Sequence, residues 1–211
     1  MSSLPFSNPV TICVSGTTGA GKTTWVYRLL REKNFMFEKT PEKVLYCYGI
    51  WQDLYTEMEK NLKEIDFHEG LPKIDVIKSL PPYSLLILDD LAHVLYSKKD
   101  TDTIFSQVSH HCKISLIHIK NNMFYQGKHA KTISLNTHVH ILMQNPRDEF
   151  QILTMGRQMF PSNPRSLLDA YNDSMDMTGY LVVDLRPHTD KKYRLRTRIF
   201  KGEDPIIFIP V

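Results

Sequence analysis

A glycine-rich segment near the N-terminus restricts the fold of this chain more than any other feature. "GTTGAGKT", Gly16–Thr23, matches the pattern G-x-x-x-x-G-K-[ST] and lies between an apolar run, Val10–Ser15, and an amphipathic run that starts at Lys22. Glycines allow backbone angles that turn several N–H groups towards one point, and a helix N-terminus adds partial positive charge there. A strand, this loop and a helix therefore predict a site for nucleotide phosphates.

We expect the loop to bind the triphosphate of ATP together with Mg²⁺. Lys22 can reach the β- and γ-phosphates, and the Thr23 hydroxyl can bind the metal ion. The alternative is a glycine-rich turn that binds no ligand. The predicted nucleotide-binding residues are Gly16, Thr17, Thr18, Gly19, Ala20, Gly21, Lys22, Thr23 and Thr24.

Short apolar runs alternate with amphipathic runs along the rest of the chain. The predicted strands are Val10–Ser15, Val44–Tyr48, Leu85–Leu88, Ser115–Ile119, Val139–Met143, Tyr180–Asp184 and Arg194–Ile199. The predicted helices are Lys22–Lys33, Asp53–Lys63, Thr101–His110, Asp148–Met159 and Ser166–Asn172. This alternation predicts an α/β fold with a central, mostly parallel sheet flanked by helices. Ligands of such sheets bind beyond the carboxyl ends of the strands.

Length and composition indicate a globular protein with one domain. The chain has 211 residues, of which 42% are hydrophobic and 23% charged. We expect a single domain over 1–211, with the polar stretch 53–82 as a candidate insertion and a basic C-terminal β segment over 180–211. Membrane helices need about 18 apolar residues, and no run in the sequence approaches that length. The N-terminus lacks the pattern of a signal peptide, so we expect an intracellular protein, nuclear or cytoplasmic, without a membrane partner.

Two adjacent carboxylates follow the apolar run in "YSLLILDDL", residues 83–91. We assign Asp89 to the Mg²⁺ site, opposite Thr23, because a carboxylate can hold the water shell of the ion. Asp90 would then polarise the water that attacks the γ-phosphate. The alternative is that Asp90 caps the N-terminus of a helix.

Polar residues also follow the next two apolar runs. Asn121 can hydrogen-bond the γ-phosphate or the attacking water, and the alternative is an ordinary turn residue. Arg147 can stabilise charge on the transferred phosphoryl group, including from a neighbouring subunit. Its alternative is a surface salt bridge with Asp148 or Glu149, and Arg157 is a second candidate for the arginine.

One candidate DNA contact is the loop sequence "NNMFYQGKHAK". Lys128 and Lys131 lie near Phe124 and Tyr125, and a mixture of basic and aromatic groups suits contact with a nucleic acid backbone. Gly127 would give this loop flexibility. Equally, the phenylalanine can belong to the core and the lysines to a solvated surface.

A second candidate contact lies near the C-terminus. Residues 186–201 carry a net charge of +6, and Arg194, Arg196 and Arg198 alternate with other residues in "YRLRTRIF". The period of two residues predicts all three arginines on one face of a strand, where DNA phosphates would neutralise them. The alternative is an edge strand that its charges protect from aggregation.

Three elements, "GTTGAGKT", "YSLLILDDL" and "ISLIHIKNN", resemble the FtsK–HerA superfamily of P-loop ATPases. Later segments narrow the resemblance to the poxvirus-type genome-packaging ATPases, closest to those of Polinton/Maverick elements and adintoviruses, and it extends over Thr11–Ile209. These segments are "SHHCKISLIHIKNNMF", "KTISLNTHVHILMQNPRD", "RQMFP" and "GYLVVDLRPHTDKKYRLRTRIF". The resemblance implies a RecA-like core of the ASCE type in a homo-oligomeric ring, a pentamer or hexamer. Such a ring drives double-stranded DNA into a preformed capsid, where portal or vertex proteins would be partners.

The resemblance also implies roles for individual residues. The matching positions are Lys22 and Thr23 in Walker A, Asp89 as the Walker B metal carboxylate, Asp90 as the catalytic acid, Asn121 as the polar sensor and Arg147 as an arginine finger acting in trans. The catalytic acid is often Glu in relatives, which is one methylene longer. Lys120 stands where relatives often have a small polar residue, and it would place a further positive charge near the γ-phosphate.

Two other functions compete with a DNA translocase. A small nucleoside or nucleotide kinase would share the glycine-rich loop, but it needs a second substrate pocket and usually a basic lid. A nucleotide-binding assembly factor would bind ATP without hydrolysing it. The pair Asp89–Asp90 and the segment "NPRD" fit hydrolysis better than the chemistry of a kinase.

Overall fold

The computed structural model describes residues 5–98, 100–123 and 127–210. Within them nine strands form one sheet. The strands are β1 (Thr11–Ser15), β2 (Val44–Tyr48), β3 (Ile65–Glu69), β4 (Leu85–Asp89), β5 (Ser115–Lys120), β6 (Val139–Met143), β7 (Tyr180–Asp184), β8 (Leu195–Thr197) and β9 (Ile206–Ile207). Their spatial order is β3-β2-β4-β5-β1-β6-β7-β8-β9.

Helices connect most of these strands. They are α1 (Lys22–Arg31), α2 (Lys33–Met36), α3 (Asp53–Asn61), α4 (Ile74–Lys78), α5 (Ala92–Leu95), α6 (Asp100–Thr103), α7 (Ser109–His111), α8 (Ala130–Leu135), α9 (Glu149–Met159) and α10 (Arg165–Met177). A π-helical turn, Ile104–Val108, joins α6 to α7, and a 3₁₀ turn covers Lys191–Tyr193. In the part of the chain that the structure describes, no helix has the length and apolar character to cross a bilayer.

The central strands are parallel, as the sequence predicts. β1 lies between β5 and β6, with Ile12 opposite Ile117 on one side and Val139 on the other. β2 pairs in parallel with β3 and β4, and β4 with β5. Strands β1 to β6 therefore all end at the same edge of the sheet. This carboxyl edge receives the polar residues that follow each strand.

Helices cover both faces of the sheet, because the central strands are apolar on both sides. On one face, α1 and α3 bury residues such as Leu29 and Met58 against Val14 and Ile117. The opposite face carries two clusters. One joins the helical segment 100–111 to β4 and β5, and the other joins α9 and α10 to β6 and β7. The predicted α/β fold, with a mostly parallel sheet flanked by helices, is confirmed.

The stretch 53–82 contributes to this sheet. It supplies α3, α4 and the edge strand β3, which the sequence did not predict. β3 reads "IDFHE", and only its first residue is buried, so it lacks the continuous apolar run of the central strands. That this stretch is an insertion stays a prediction.

The C-terminal strands are antiparallel and extend the sheet beyond β6. β8 covers only Leu195–Thr197, which is shorter than the predicted strand. The predicted exposed arginine face is wrong for Arg196, whose residue is only 2% exposed. Arg194 lies half-buried just before β8, and Arg198 is exposed just after it in a left-handed conformation with φ 56°. The strand is too short to present three arginines on one face.

Arg196 is buried because it pairs with a carboxylate of β7. Its Nη2 donates to Asp184 Oδ2 at 2.9 Å, and Arg186 Nη2 donates to the same oxygen at 2.6 Å. Burial alone would raise the pKa of Asp184, but the two guanidinium groups outweigh it and hold the pKa at about 2. An unfolded Asp titrates near pH ~4, so this network stabilises the fold above that pH and loses its effect as the pH falls towards 2.

We predict that Arg196→Gln lowers the free energy of unfolding by about 3 kcal/mol, because it removes one partner of a buried ion pair. Arg198→Gln is the matched control, since it removes an exposed arginine two residues away and should change stability by no more than about 0.5 kcal/mol. Urea unfolding of both variants at neutral pH measures the difference. Equal stability of the two variants would contradict a structural role for Arg196.

Candidate nucleotide-binding site

The glycine-rich loop and the ends of β4 and β5 meet in a cleft of about 330 Å³ at the carboxyl edge. The residues that line the cleft are Thr18, Gly19, Gly21, Lys22, Thr23, Thr24, Gln52, Leu54, Asp89, Asp90, Ile119, Lys120 and Asn121. The structure therefore brings the predicted phosphate, metal, water and sensor residues to one place. Arg147 and the candidate DNA contacts lie outside this lining.

The loop requires glycine for two different physical reasons, unusual backbone angles and close packing. Gly19 and Gly21 have φ 84° and φ 83°, which are left-handed conformations that favour glycine. Gly16 instead packs closely on β6, where an added Cβ would lie 2.9 Å from Met143 Cβ. The loop therefore needs unusual backbone angles at its tip and a close approach at its base.

The base of the loop rests on the chain that follows β6. Gln144 O accepts hydrogen bonds from Thr17 N at 3.0 Å and from Thr17 Oγ1 at 3.2 Å. The sequence could not predict this contact, because every residue has a backbone carbonyl that can accept such a hydrogen bond. Register between β1 and β6 fixes the position of Gln144 relative to the loop.

The Lys22 side chain folds back over the loop. Its Nζ donates to Gly16 O at 2.9 Å and to Thr17 O at 2.8 Å. Burial lowers the pKa of Lys22, while the nearby carboxylates of Asp89 and Asp90 oppose that shift. The ammonium group therefore lies at the loop and faces negative charge across the cleft.

Thr23 and Asp89 meet across the cleft as a metal site requires. Thr23 Oγ1 donates to Asp89 Oδ2 at 3.1 Å, and Asp89 is 3% exposed at the end of β4. A hydroxyl and a carboxylate are oxygen donors of the kind that Mg²⁺ prefers, with water completing its octahedral shell. These two residues would hold the ion next to the phosphates that the loop binds.

Two buried tyrosines also contact Asp89, and the sequence did not predict them. Tyr46 OH donates to Asp89 Oδ2 at 2.7 Å and Tyr55 OH at 2.9 Å. Burial raises the pKa of Asp89, and the hydroxyl donors partly offset that effect by favouring the charged form. A tyrosine inside the apolar run "VLYCY" was the available signal, because a buried phenol needs a partner.

Asp90 lies at the mouth of the cleft and its residue is exposed. Its backbone is left-handed, with φ 55°, a conformation that Asp tolerates better than most residues. The expected alternative, a helix cap, is not what the structure shows. Helix α5 begins at Ala92, and its cap residue is Leu91, without a side-chain cap. The carboxylate is therefore left to face the cleft.

Asn121 is exposed at the end of β5, in a loop that its neighbours hold in place. Asn145 Nδ2 donates to Asn121 O at 3.3 Å. Two residues further on, the backbone N–H of Met123 donates to the carboxylate of Asp148. Asp148 is buried, and its carboxylate supports this loop.

The Lys120 ammonium group points into the protein interior. Lys120 is 8% exposed, and its Nζ donates to Met123 O at 2.6 Å and to Tyr96 OH at 3.4 Å. The residue contributes to the cleft lining, but its charge is engaged by the loop that follows β5. It helps to fix the loop that carries Asn121.

Arg147 is exposed after β6, and its backbone N–H donates to Asn145 Oδ1 at 3.2 Å. Over residues 5–98, 100–123 and 127–210, its guanidinium forms no ion pair with Asp148 or Glu149. Arg157 is also exposed, on α9.

The candidate DNA loop is only partly within the described residues. Lys128 and Lys131 are exposed, while Phe124 and Tyr125 lie outside the described ranges. Gly127 serves close packing rather than flexibility, because an added Cβ would lie 2.8 Å from Tyr96 Cβ.

The sheet order and the loop between β1 and α1 define the α/β fold of P-loop NTPases. The sequence matches no protein-family model and no curated protein. Solved structures do match. The DNA-packaging ATPase B204 from Sulfolobus turreted icosahedral virus superposes with a TM-score of 0.55 at 10% identity, covering 98% of this chain and 100% of that chain.

The genome packaging NTPase B204 from Sulfolobus turreted icosahedral virus 2, in complex with AMP, gives a TM-score of 0.53 at 10% identity, covering 97% of this chain and 98% of that chain. The same protein in complex with ATP-gammaS gives 0.50 at 10% identity, with the same coverage. At these identities the similarity establishes a shared fold.

We predict different effects for two substitutions in the cleft. Lys22→Ala should abolish ATP turnover, because it removes the only lysine that the loop offers to the phosphates. Asp90→Asn should keep Mg-ATP binding while turnover falls sharply, because Thr23 and Asp89 remain. Calorimetric binding and phosphate release measure the two quantities separately.

Asp169→Asn, an exposed carboxylate on α10, serves as the control for loss of one charge. Loss of Mg-ATP binding in Asp90→Asn, with binding retained in Asp169→Asn, would mean that the roles of Asp89 and Asp90 are assigned wrongly.

Proposed function

We propose that this chain hydrolyses ATP in the carboxyl-edge cleft and uses the energy to move double-stranded DNA into a viral capsid. The observation that carries the hydrolysis step is the arrangement of Thr23, Asp89 and Asp90. A hydroxyl and a buried carboxylate lie 3.1 Å apart, where they could hold a metal ion, and a second, exposed carboxylate lies beside them at the mouth of the cleft.

The chemistry follows from what each group can do. The loop N–H groups and Lys22 bind and orient the phosphates, and Mg²⁺, when bound, neutralises charge on the β- and γ-phosphates. Asp90 orients the attacking water and accepts its proton, and Asn121 holds the water or the γ-phosphate without adding charge. Asp89 and the base of the loop are buried, and charges act more strongly on the phosphates where bulk water is excluded.

The comparisons support the packaging role. The fold is shared over nearly the whole length of a protein described as a DNA-packaging ATPase. The resemblance to poxvirus-type ATPases extends over Thr11–Ile209, and it makes the FtsK–HerA class, near the Polinton/Maverick and adintovirus enzymes, the assignment that we propose. A capsid portal or vertex protein would then be a partner, and the chain would bind transiently at the capsid.

The position of Arg147 favours the proposed ring of identical subunits. It is exposed, it lies outside the lining of its own cleft, and it follows β6 at the same edge of the sheet. We propose that it reaches the γ-phosphate bound by a neighbouring subunit, as an arginine finger in trans. A heterologous contact of this kind closes into a ring when the rotation between subunits allows it.

Of the predicted DNA contacts, Lys128, Lys131, Arg194 and Arg198 remain candidates. Arg196 no longer belongs to this group, because Asp184 already neutralises it. We propose that Lys128, Lys131 and Arg198, which are all exposed, contact phosphates, and phosphate contacts give affinity without sequence preference.

The proposal is tested by ATP turnover with and without long double-stranded DNA, at several protein concentrations. We expect DNA to raise turnover, and we expect specific activity to rise with protein concentration because the active site needs two subunits. Asp90→Asn serves as the inactive control. Phosphorylation of a nucleoside by the monomer would instead indicate a kinase, and tight ATP binding without turnover would indicate an assembly factor.

We also predict the salt dependence of DNA binding. Replacing Lys128, Lys131 and Arg198 with Gln should flatten the slope of log affinity against log salt by roughly two to three, since each phosphate contact contributes about 0.9. Replacing the exposed Lys60, Lys63 and Lys73 with Gln removes the same charge near the β3 edge and should leave the slope nearly unchanged. Equal slopes for the two triple variants would remove these residues from the DNA interface.

A further inference from the structure

We propose that Tyr46 and Tyr55 are positioning residues for the metal site, and that their hydroxyls fix the Asp89 carboxylate in the orientation that binds Mg²⁺. The inference rests on the proposed nucleotide site. It adds two residues from β2 and α3, which neither belong to the glycine-rich loop nor follow β4 or β5.

The geometry of the three donors is specific. Tyr46 and Tyr55 are both fully buried, and their hydroxyls lie 2.7 Å and 2.9 Å from Asp89 Oδ2. Thr23 Oγ1 donates to the same atom at 3.1 Å. One carboxylate oxygen therefore accepts three hydrogen bonds, from β2, α3 and α1.

This arrangement leaves one oxygen for the metal. A carboxylate oxygen has two lone pairs, and the three donors already share those of Oδ2, so Oδ2 is the less available oxygen for an ion or for the water that an ion carries. Mg²⁺, when bound, would then be held through Oδ1, directly or through water. With Oδ2 held by two rigid phenols, the plane of the carboxylate cannot turn freely about its terminal torsion, which is otherwise broad.

Packing alone does not explain the two hydroxyls. The tyrosines belong to an aromatic cluster with Phe67, whose ring centroid lies 5.3 Å from Tyr46 and 5.6 Å from Tyr55. Phenylalanine fills such a layer without a polar atom, as position 67 shows. Burying a phenol or a carboxylate without a partner is costly, so the hydroxyls and Asp89 depend on each other.

Tyr48 provides a matched control within the same cluster. Its ring centroid lies 5.6 Å from that of Tyr55, and in the register of the sheet it is the direct partner of Asp89. No hydrogen bond from Tyr48 to Asp89 occurs in the described residues. Tyr48→Phe therefore removes a phenol from the cluster without removing a donor from the carboxylate.

The test measures how Mg²⁺ changes the affinity for AMPPCP, an ATP analogue that cannot be hydrolysed at its β,γ bond. Calorimetry gives the Kd in EDTA and across a Mg²⁺ series for wild type, Tyr46→Phe, Tyr55→Phe and Tyr48→Phe. We expect the two donor variants each to raise the Mg²⁺ concentration for half-maximal effect by about tenfold, since hydrogen bonds to charged groups are strong. Their affinity in EDTA and the behaviour of Tyr48→Phe should match wild type.

Thermal unfolding of each variant separates positioning from folding. If Tyr46→Phe does not fold, Tyr55→Phe alone tests the inference, because Tyr55 lies on a helix outside the sheet. A folded Tyr55→Phe with an unchanged Mg²⁺ midpoint would overturn the inference, and so would an equal loss of affinity with and without Mg²⁺. Failure of the wild type to bind AMPPCP with Mg²⁺ would instead refute the nucleotide site itself.

Discussion

The buried carboxylate of Asp89 holds the two halves of the candidate site together. It ends β4 at the carboxyl edge of a parallel sheet and accepts hydroxyl hydrogen bonds from α1, β2 and α3. An isolated buried charge is costly, so each donor also stabilises the fold around it. The glycine-rich loop, the proposed metal site and the aromatic cluster between β2 and α3 therefore cannot shift independently. A parallel sheet allows this because its neighbouring strands all end at one edge.

The loops that carry the proposed reacting groups are supported from the chain after β6. Gln144 O holds Thr17 at the base of the glycine-rich loop, and Asn145 holds Asn121. Tyr171 OH on α10 in turn accepts a hydrogen bond from Asn145 N at 2.9 Å and donates to Met143 O at 3.2 Å. The segment that also contains the proposed arginine finger therefore contacts the glycine-rich loop. If the proposed ring forms, a movement of that segment would shift the loop.

Sequence patterns predicted the parts of the structure that local chemistry determines. The Gly16–Thr23 motif and the continuous apolar runs gave the central strands and the cleft, because buried parallel strands leave little choice of residue. Contacts distant in sequence could not be predicted this way. Nothing in the sequence around Tyr46 or Tyr55 indicates that both reach Asp89, and alternation in "RLRTR" does not reveal that Asp184 neutralises Arg196. The sequence analysis also missed the edge strand β3, because its mostly polar residues form no apolar run or regular apolar alternation.

We propose that the nucleotide binds in this cleft with its metal ion beside Thr23 and Asp89. A crystal structure with AMPPCP and Mn²⁺ in place of Mg²⁺ is the most direct test, because anomalous scattering locates the manganese ion independently of the protein coordinates. We expect one strong anomalous peak beside Thr23 Oγ1 and Asp89, with the phosphates on the Gly16–Thr23 loop. A nucleotide bound elsewhere, or a metal ion that contacts neither residue, would show that the proposed site is wrong.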